Sequence, residues 1–251
     1  MSRQHLIEEL VSRVLPVEKK LDYKFRNKKL LVYALTHTSY INILKKYKLP
    51  VITYERLEFL GDAVLEFVVT DYLYRKFKKQ DEGTLTALRA YIVKTKTLAK
   101  VANDLALGRF LIIGASGKGL DVHKSEYVLA DVFEAVVGAI YLDSGIRQAQ
   151  RFIRQKLLAT LDLKQVLQKK LYKDVKTQFQ EIIQEQLRQT PHYETRPIEK
   201  QPQKYRSYVK INNVTVAQGE GATKADAQTA AAKQAMQKID KIIKKLDHAK
   251  D

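Results

Sequence analysis

The chain has 251 residues, 45% of them apolar, with 45 Lys plus Arg against 28 Asp plus Glu, a net charge of +17 and no cysteine. This length and apolar content fit one large or two modest globular domains rather than a disordered chain, and the missing cysteine excludes thiol catalysis, thiolate zinc sites and disulfides. The cationic excess points to a polyanionic partner, either nucleic acid or an acidic lipid surface.

The opening segment, MSRQHLIEEL, has no continuous apolar stretch, and its early acids argue against a transit peptide. The longest apolar runs, such as Ala135 to Leu142, are far too short to span a bilayer. The chain therefore reads as soluble and cytoplasmic, with no membrane partner. It lacks the concentrated basic amphipathic helix of a membrane-surface protein.

From Leu30 to about Leu161 apolar residues recur at three- and four-residue spacing, which predicts a nearly all-helical domain. Leu57, Leu60, Val64, Phe67 and Val68 mark the predicted buried side of one helix, and Leu88, Ile92, Leu98 and Val101 mark the next region. The first domain spans residues 1–162, and the polar, basic stretch 163–173 reads as a linker. VKTQFQEIIQEQL then reads as an amphipathic helix ended before Pro191. Tyr205 to Val209 and Val214 to Gln218 read as a hairpin about Asn212-Asn213, with PHYETRPI as a first strand. Lys224 to Ile239, rich in alanine, predicts a closing helix. The second domain is thus α-β-β-β-α over residues 174–242, followed by a basic tail at 243–251, within an overall fold that is mainly α.

Residues 173–251 carry 15 Lys plus Arg and 10 Asp plus Glu, a net +5, which leaves +12 of the total for the N-terminal part. Both parts are therefore competent to meet a phosphate backbone. Lys233, Lys238, Lys241, Lys244 and Lys245 extend the basic character towards the terminus, either as RNA contacts or as a solvated face.

Within YERLEFLGDA, Glu58 and Asp62 lie four apart and share a helix face, with Glu55 one turn earlier. A second acidic pair, Asp131 and Glu134, lies three apart in LADVFEAVVGAIYLD. Helical acids are ordinarily solvated surface charges, but both pairs are embedded in apolar residues, and carboxylates there need a cation or hydrogen bonds in compensation. Oxygen-only ligands favour Mg²⁺, with Mn²⁺ able to substitute, over zinc. Such a site suits phosphodiester hydrolysis, in which two ions roughly 3.5–4 Å apart activate a water and stabilise the leaving oxygen. Gly61 either permits close helix packing or is a tolerated packing glycine. His37 and Ser39 lack the orienting acid and oxyanion hole of a nucleophilic site, and helix capping accounts for them better.

YERLEFLGDAVLEF (Tyr54 to Phe67) resembles the hallmark segment of the ribonuclease III family, usually NERLEFLGDS. ALTHTSY (Ala34 to Tyr40), EGTLTALRAYIV (Glu82 to Val93) and EYVLADVFEAVVGAIYLDSG (Glu126 to Gly145) resemble its other blocks in the same order. The resemblance implies an all-helical endonuclease domain with metal ligands Glu58, Asp62, Asp131 and Glu134. Asp62 and Glu134 carry the catalysis, and Glu55 and Glu82 are further cleft acids. Phe59 matches a residue that packs into a partner subunit, which implies a homodimer cutting both strands with short 3′ overhangs. Tyr54 for Asn and Ala63 for Ser are departures at positions that do not ligate metal.

The stretch from about Asp174 to Ile239 resembles a double-stranded-RNA-binding domain through KTQFQEIIQ and GEGATKADAQTAAAKQAM. The resemblance places Thr177, Gln180, Glu181 and Gln184 on the face that reaches a minor groove, where A-form RNA exposes 2′-hydroxyls. Thr223 and Lys224 match the helix start that holds phosphates. The family's lysine cluster is thinned here to Lys224, with Ala222 and Ala225 beside it, and Gln201 and Lys204 stand where the strand-one loop usually has glycine and histidine. The whole implies a Mg²⁺-dependent endoribonuclease acting on double-stranded RNA, including ribosomal and other structured precursors. The rival is a non-catalytic RNA-binding relative; such relatives usually lose some of the four carboxylates, and all four are present.

Overall fold

The computed structural model describes residues 2–118, 121–199 and 201–247. The chain divides into two compact units, residues 1–164 and 165–251. The first contains α1 (Arg3–Val14), α2 (Val17–Leu21), α3 (Lys28–Ala34), α4 (Ile41–Lys46), α5 (Glu55–Lys76), α6 (Glu82–Val93), α7 (Thr95–Asp104), α8 (Ala115–Lys118), α9 (Glu126–Ser144) and α10 (Ile146–Lys156). A short helix, α11 (Leu163–Gln168), spans the division and occupies the start of the stretch read as a linker. The second unit contains α12 (Val175–Leu187), β1 (His192–Ile198), β2 (Gln201–Ile211), β3 (Val214–Gly221), α13 (Lys224–Gln237) and α14 (Ile239–Asp247).

The first unit is built around α9. Leu129, Ala130, Val132, Phe133 and every residue from Ala135 to Ile140 are buried, so this helix is apolar nearly all round, the signature of a central element. Helices α3, α5, α7 and α10 all pack on it, and Phe133 stacks on Phe152 of α10 with ring centroids 5.8 Å apart. Leu88, Ile92, Leu98 and Val101 are buried as their spacing predicts.

Helices α5 and α9 approach each other closely. A Cβ on Gly61 would lie 1.8 Å from the carbonyl oxygen of Glu134, and one on Gly138 would lie 2.3 Å from that of Leu57. Both distances are impossible for a real side chain, so the two backbones touch through glycine from each side. Gly61 is therefore a close-packing glycine, and Gly138 is its counterpart. The longer α5 has apolar residues on two faces. Leu57, Val64, Leu65, Val68, Val69 and Leu73 enter the core, while Phe67 is 63% exposed. The predicted placement of Phe67 on the buried side is corrected accordingly: α9 covers only one stripe of α5, and Phe67 falls opposite it, with Phe59.

The second unit has a three-stranded antiparallel sheet in the order β1-β2-β3. Asn212 and Asn213 join β2 to β3 with φ of 48° and 62°, the left-handed conformations that a two-residue hairpin requires and that Asn tolerates. Phe179, Ile183 and Leu187 of α12 meet Val209 and Ile211 of β2, and Ala231 and Ala235 of α13, in a single core. Small residues set the spacing, since a Cβ on Gly219 would lie 2.2 Å from the amide of Ala231. The alanine run is thus the surface on which β3 rests. Ile242 and Leu246 of α14 complete the core. Residues 243–247 of the segment read as a basic tail belong to this packed helix, and 248–251 lie outside the described residues.

Candidate active site and RNA-binding surface

Helix α5 begins at Glu55 and carries Glu55 and Glu58 in its first turn, where the partial positive charge of the helix start favours carboxylates. The glycine contact holds this turn against α9 beside Asp131 and Glu134. One carboxylate oxygen from each of Glu58, Asp131 and Glu134 lies within 4.8 Å of the others, and all three residues are half-buried. Asp62 is exposed one turn along α5, outside this closest trio, yet it is the strongest charge acting on Glu134. Among the described residues none of these four carboxylates makes an ion pair or hydrogen bond.

The electrostatic consequence is large. Burial, then the charges of Asp62, Asp131, Glu58 and Glu66, pushes the Glu134 carboxyl up to about 8. Burial and then Asp131, Glu55 and Asp62 raise Glu58, while burial and then Glu55 raise Asp131. At the other end of α9 the opposite holds. Burial works against the charge of Asp143, but the amides of Asn27 and Arg26 and the hydroxyls of Tyr23 and Ser144 outweigh it and hold that carboxyl below its usual range. Asp143 is a structural acid whose compensation is built into the protein; the trio has none. A group of oxygen donors that the chain itself leaves uncompensated fits a hard divalent cation.

Glu55 is exposed and accepts from the Thr53 hydroxyl at 3.1 Å, close enough to raise Asp131 and Glu58. Glu82 is exposed in the first turn of α6 and accepts from Thr86; the structure does not bring it into the trio. Glu66, which sequence reading missed, adds to the field on Glu134. Its signal was legible, because 58, 62 and 66 form one i, i+4 row. Tyr54, which stands where the family pattern has Asn, is 6% exposed at the start of α5. Burial and the charges of Asp131, Glu58 and Glu55 push its hydroxyl up to about 12. His37 and Ser39 act structurally: the His37 ring accepts from the Ser39 amide at 3.1 Å, and Ser39 Oγ accepts from the Gly114 amide at 3.0 Å. Phe59 is 82% exposed, pointing away from the unit's own core.

In the second unit Thr177, Gln180 and Gln184 are exposed and Glu181 half-buried, on the side of α12 away from Phe179 and Ile183. Asp174 caps the helix, accepting from the amides of Lys176 and Thr177 and from the Thr177 hydroxyl at 2.9 Å. Glu181 is paired with Lys173 at 2.5 Å, and Gln184 donates to Thr190 at 3.4 Å. Thr223 begins α13 with a capping box: it accepts from the Asp226 amide, and the Asp226 carboxylate accepts from the Thr223 amide. Lys224 places its ammonium 6.0 Å from the Tyr205 ring, and Lys204 is exposed within β2.

A family profile described as Ribonuclease-III-like matches residues 27–161, and one described as a double-stranded RNA binding motif matches residues 175–239. Ribonuclease 3 of Campylobacter jejuni subsp. jejuni serotype O:2 is 39% identical over 225 residues, 89% of this chain and 96% of that protein. Ribonuclease 3 of Clostridium perfringens (strain 13 / Type A) is 36% identical over 231 residues, 91% of this chain and 95% of that protein. The crystal structure of the nuclease domain of ribonuclease III from C. jejuni aligns with a TM-score of 0.53 at 38% identity, covering 58% of this chain and 94% of that one. A second structure of that domain, concerned with flexibility in a region involved in its dimer formation, aligns with a TM-score of 0.51 at 40% identity, covering 57% and 96%. With both units matched in order and over most of its length, the chain belongs to the ribonuclease III family, a nuclease unit followed by a double-stranded-RNA-binding unit.

Proposed function

We propose that this member of the family hydrolyses double-stranded RNA with divalent-metal catalysis, giving 5′-phosphate and 3′-hydroxyl ends with short 3′ overhangs. Its substrates are ribosomal and other structured precursor RNAs in the cytoplasm. The observation that carries this reading is the Glu58, Asp131 and Glu134 trio, with oxygens within 4.8 Å of one another and, among the described residues, no ion pair to any of them.

Glu58, Asp131 and Glu134 would hold Mg²⁺ or Mn²⁺, with Asp62 at the rim. When bound, the divalent cation neutralises charge at the scissile phosphate and on the leaving oxygen. The chain's own residues supply the arrangement. The glycine contact between α5 and α9 fixes the separation of the two acidic pairs, and Glu134 would serve as a ligand in its ionised form. Glu55 keeps the outer cleft acidic, and we assign the same part to Glu82. In the second unit Thr177, Gln180, Glu181 and Gln184 form a polar helix face for a minor groove, while Thr223, Lys224 and Lys204 meet phosphate oxygens.

The working unit is proposed to be a homodimer. Phe59 and Phe67, 82% and 63% exposed, lie eight residues apart and so share one face of α5. A shared apolar face of this kind favours a second copy, and the related C. jejuni domain is described as having a region involved in dimer formation. Sedimentation that finds only monomer at working concentration contradicts this part.

The direct test uses a long RNA duplex with Mg²⁺ and, in parallel, with EDTA. Cleavage only with the metal is expected. Cleavage in EDTA, or intact duplex with Mg²⁺, overturns the metal reading, and duplex binding without cutting under every condition favours the non-catalytic rival.

A further inference from the structure

Helix α10, IRQAQRFIRQK, contains no acidic residue and is a basic amphipathic helix, contrary to the expectation that the chain has none. Its apolar residues Ala149, Phe152 and Ile153 are buried, and Arg147, Arg151 and Arg154 are exposed. Spaced i, i+4 and i+7, the three guanidinium groups lie on one face. Among the described residues none of them pairs with a carboxylate.

A second helix brings another cation to the same place. The Arg154 guanidinium lies 6.0 Å from the centre of the Tyr72 ring on α5, and the Lys76 ammonium lies 4.9 Å from it while donating to the Tyr72 hydroxyl at 2.5 Å. Asp71, next to Tyr72, is already paired with Arg75 at 2.7 Å. Two like charges thus converge on one aromatic ring, and among the described residues neither has an ion pair. This is the inverse of the acidic trio: there the chain leaves negative charge uncompensated, and here positive.

We propose that the α10 face, continued by Lys76, is a phosphate-backbone contact for duplex RNA on the nuclease unit, separate from the cleavage centre. The inference rests on the reading of the chain as a duplex-RNA nuclease. Tyr72 and Glu58 are fourteen residues apart on α5, about 21 Å at 1.5 Å per residue, so the contact lies well beyond the scissile bond. The arginines extend about 10 Å along α10 by the same rise. A single phosphate or carboxylate engages one or two of them, whereas a polyanion with regularly spaced phosphates engages all three. Arginine suits this, since its planar fork matches phosphate oxygens in pairs. The face lengthens the footprint of the enzyme and raises affinity for long duplexes without reading sequence.

The test compares the full-length protein with a triple variant, Arg147→Gln, Arg151→Gln and Arg154→Gln, and with the matching triple Lys variant, all in EDTA to prevent cutting. Binding is followed by fluorescence anisotropy across a salt series. One duplex has about 30 base pairs, longer than the ~16 base pairs one RNA-binding module spans, and one has about 10. On the long duplex the Gln variant is expected to bind roughly tenfold or more weakly, with a log K against log salt slope shallower by about 2.7, since three contacts are lost and each contributes about 0.9. The Lys variant keeps most of that slope. The short duplex shows little change, and with Mg²⁺ the turnover at saturating RNA is unaltered while KM rises. Arg151→Gln alone, which leaves Tyr72 and its cations in place, moves the slope by about 1 and guards against misfolding of the triple variant. An unchanged slope on the long duplex, or an equal loss on the short one, overturns the proposal. Failure of the unaltered protein to bind either duplex instead overturns the functional reading beneath it.

Discussion

In the nuclease unit Glu58, Asp131 and Glu134 face one another without a cation, whereas in the RNA-binding unit Asp226 closes a capping box, Glu181 holds Lys173 and Glu194 is paired with Lys210 and Arg196. The second unit compensates these acids within its own fold. The first leaves its acids unsatisfied at a point where two helices are locked together. The difference shows where each unit depends on something it does not contain. Completing the nuclease site requires added positive charge, while the RNA-binding unit is complete as folded and needs only a complementary surface.

The sharpest way to break this comparison is to remove one acid from the trio. Glu134→Gln should lower cleavage by more than the roughly 10–100-fold typical of residues that merely support a metal ligand, while duplex binding measured by anisotropy stays within about twofold, since the RNA-binding unit retains its own contacts. Equal losses of binding and cleavage would mean that the acidic centre is structural. Next in size is the glycine contact. In an exposed helix, Gly→Ala gains about 1 kcal/mol, but Gly138→Ala places a methyl 2.3 Å from the Leu57 carbonyl oxygen. Overpacking of about 1–3 kcal/mol or more should outweigh the propensity gain. Thermal unfolding and cleavage should fall together; a more stable variant would refute the contact.

The effect of pH sharpens the comparison further. Glu134 stands at about 8 in the folded chain against an ordinary 4.5, so its protonated form favours the fold. That contribution is complete below 4.5 and is lost as pH rises through about 8. In EDTA the melting temperature should therefore decline across this window, and saturating Mg²⁺ should flatten the decline, since the cation stabilises the ionised ligands. A flat profile in EDTA contradicts the crowding. Asp143, held below its usual range, contributes in the opposite sense and only towards acid. The smallest expected effect is on the other unit. Lys224→Ala should weaken duplex binding several-fold and reduce the salt slope by about 1, with cutting at saturating RNA unchanged. Its ammonium lies over Tyr205 at 6.0 Å, and no slope change would show that the stacking is its whole role.

What the sequence determined by itself was whatever a single element carries within its own span. Three- and four-residue spacing marked residues 30–161 as helical, though it left α1 and α2 unread, Asn212-Asn213 located the hairpin turn, and the spacings 58 to 62 and 131 to 134 placed each acidic pair on one helix face. The family motifs joined the two pairs into one site. The tertiary structure decided what depends on two elements meeting. Gly138 looks like any small residue in an apolar helix until its Cβ position meets the Leu57 carbonyl. Phe67 fits the helical period of the core, yet it is exposed because α9 covers only one stripe of α5. The trio excludes exposed Asp62 and gains the field of Glu66, and the cations around Tyr72 come from helices more than seventy residues apart in sequence. Periodicity fixes which side chains share a face. Only the approach of two backbones, here as close as a pair of glycines allows, decides which faces meet and whose charge is left without a partner.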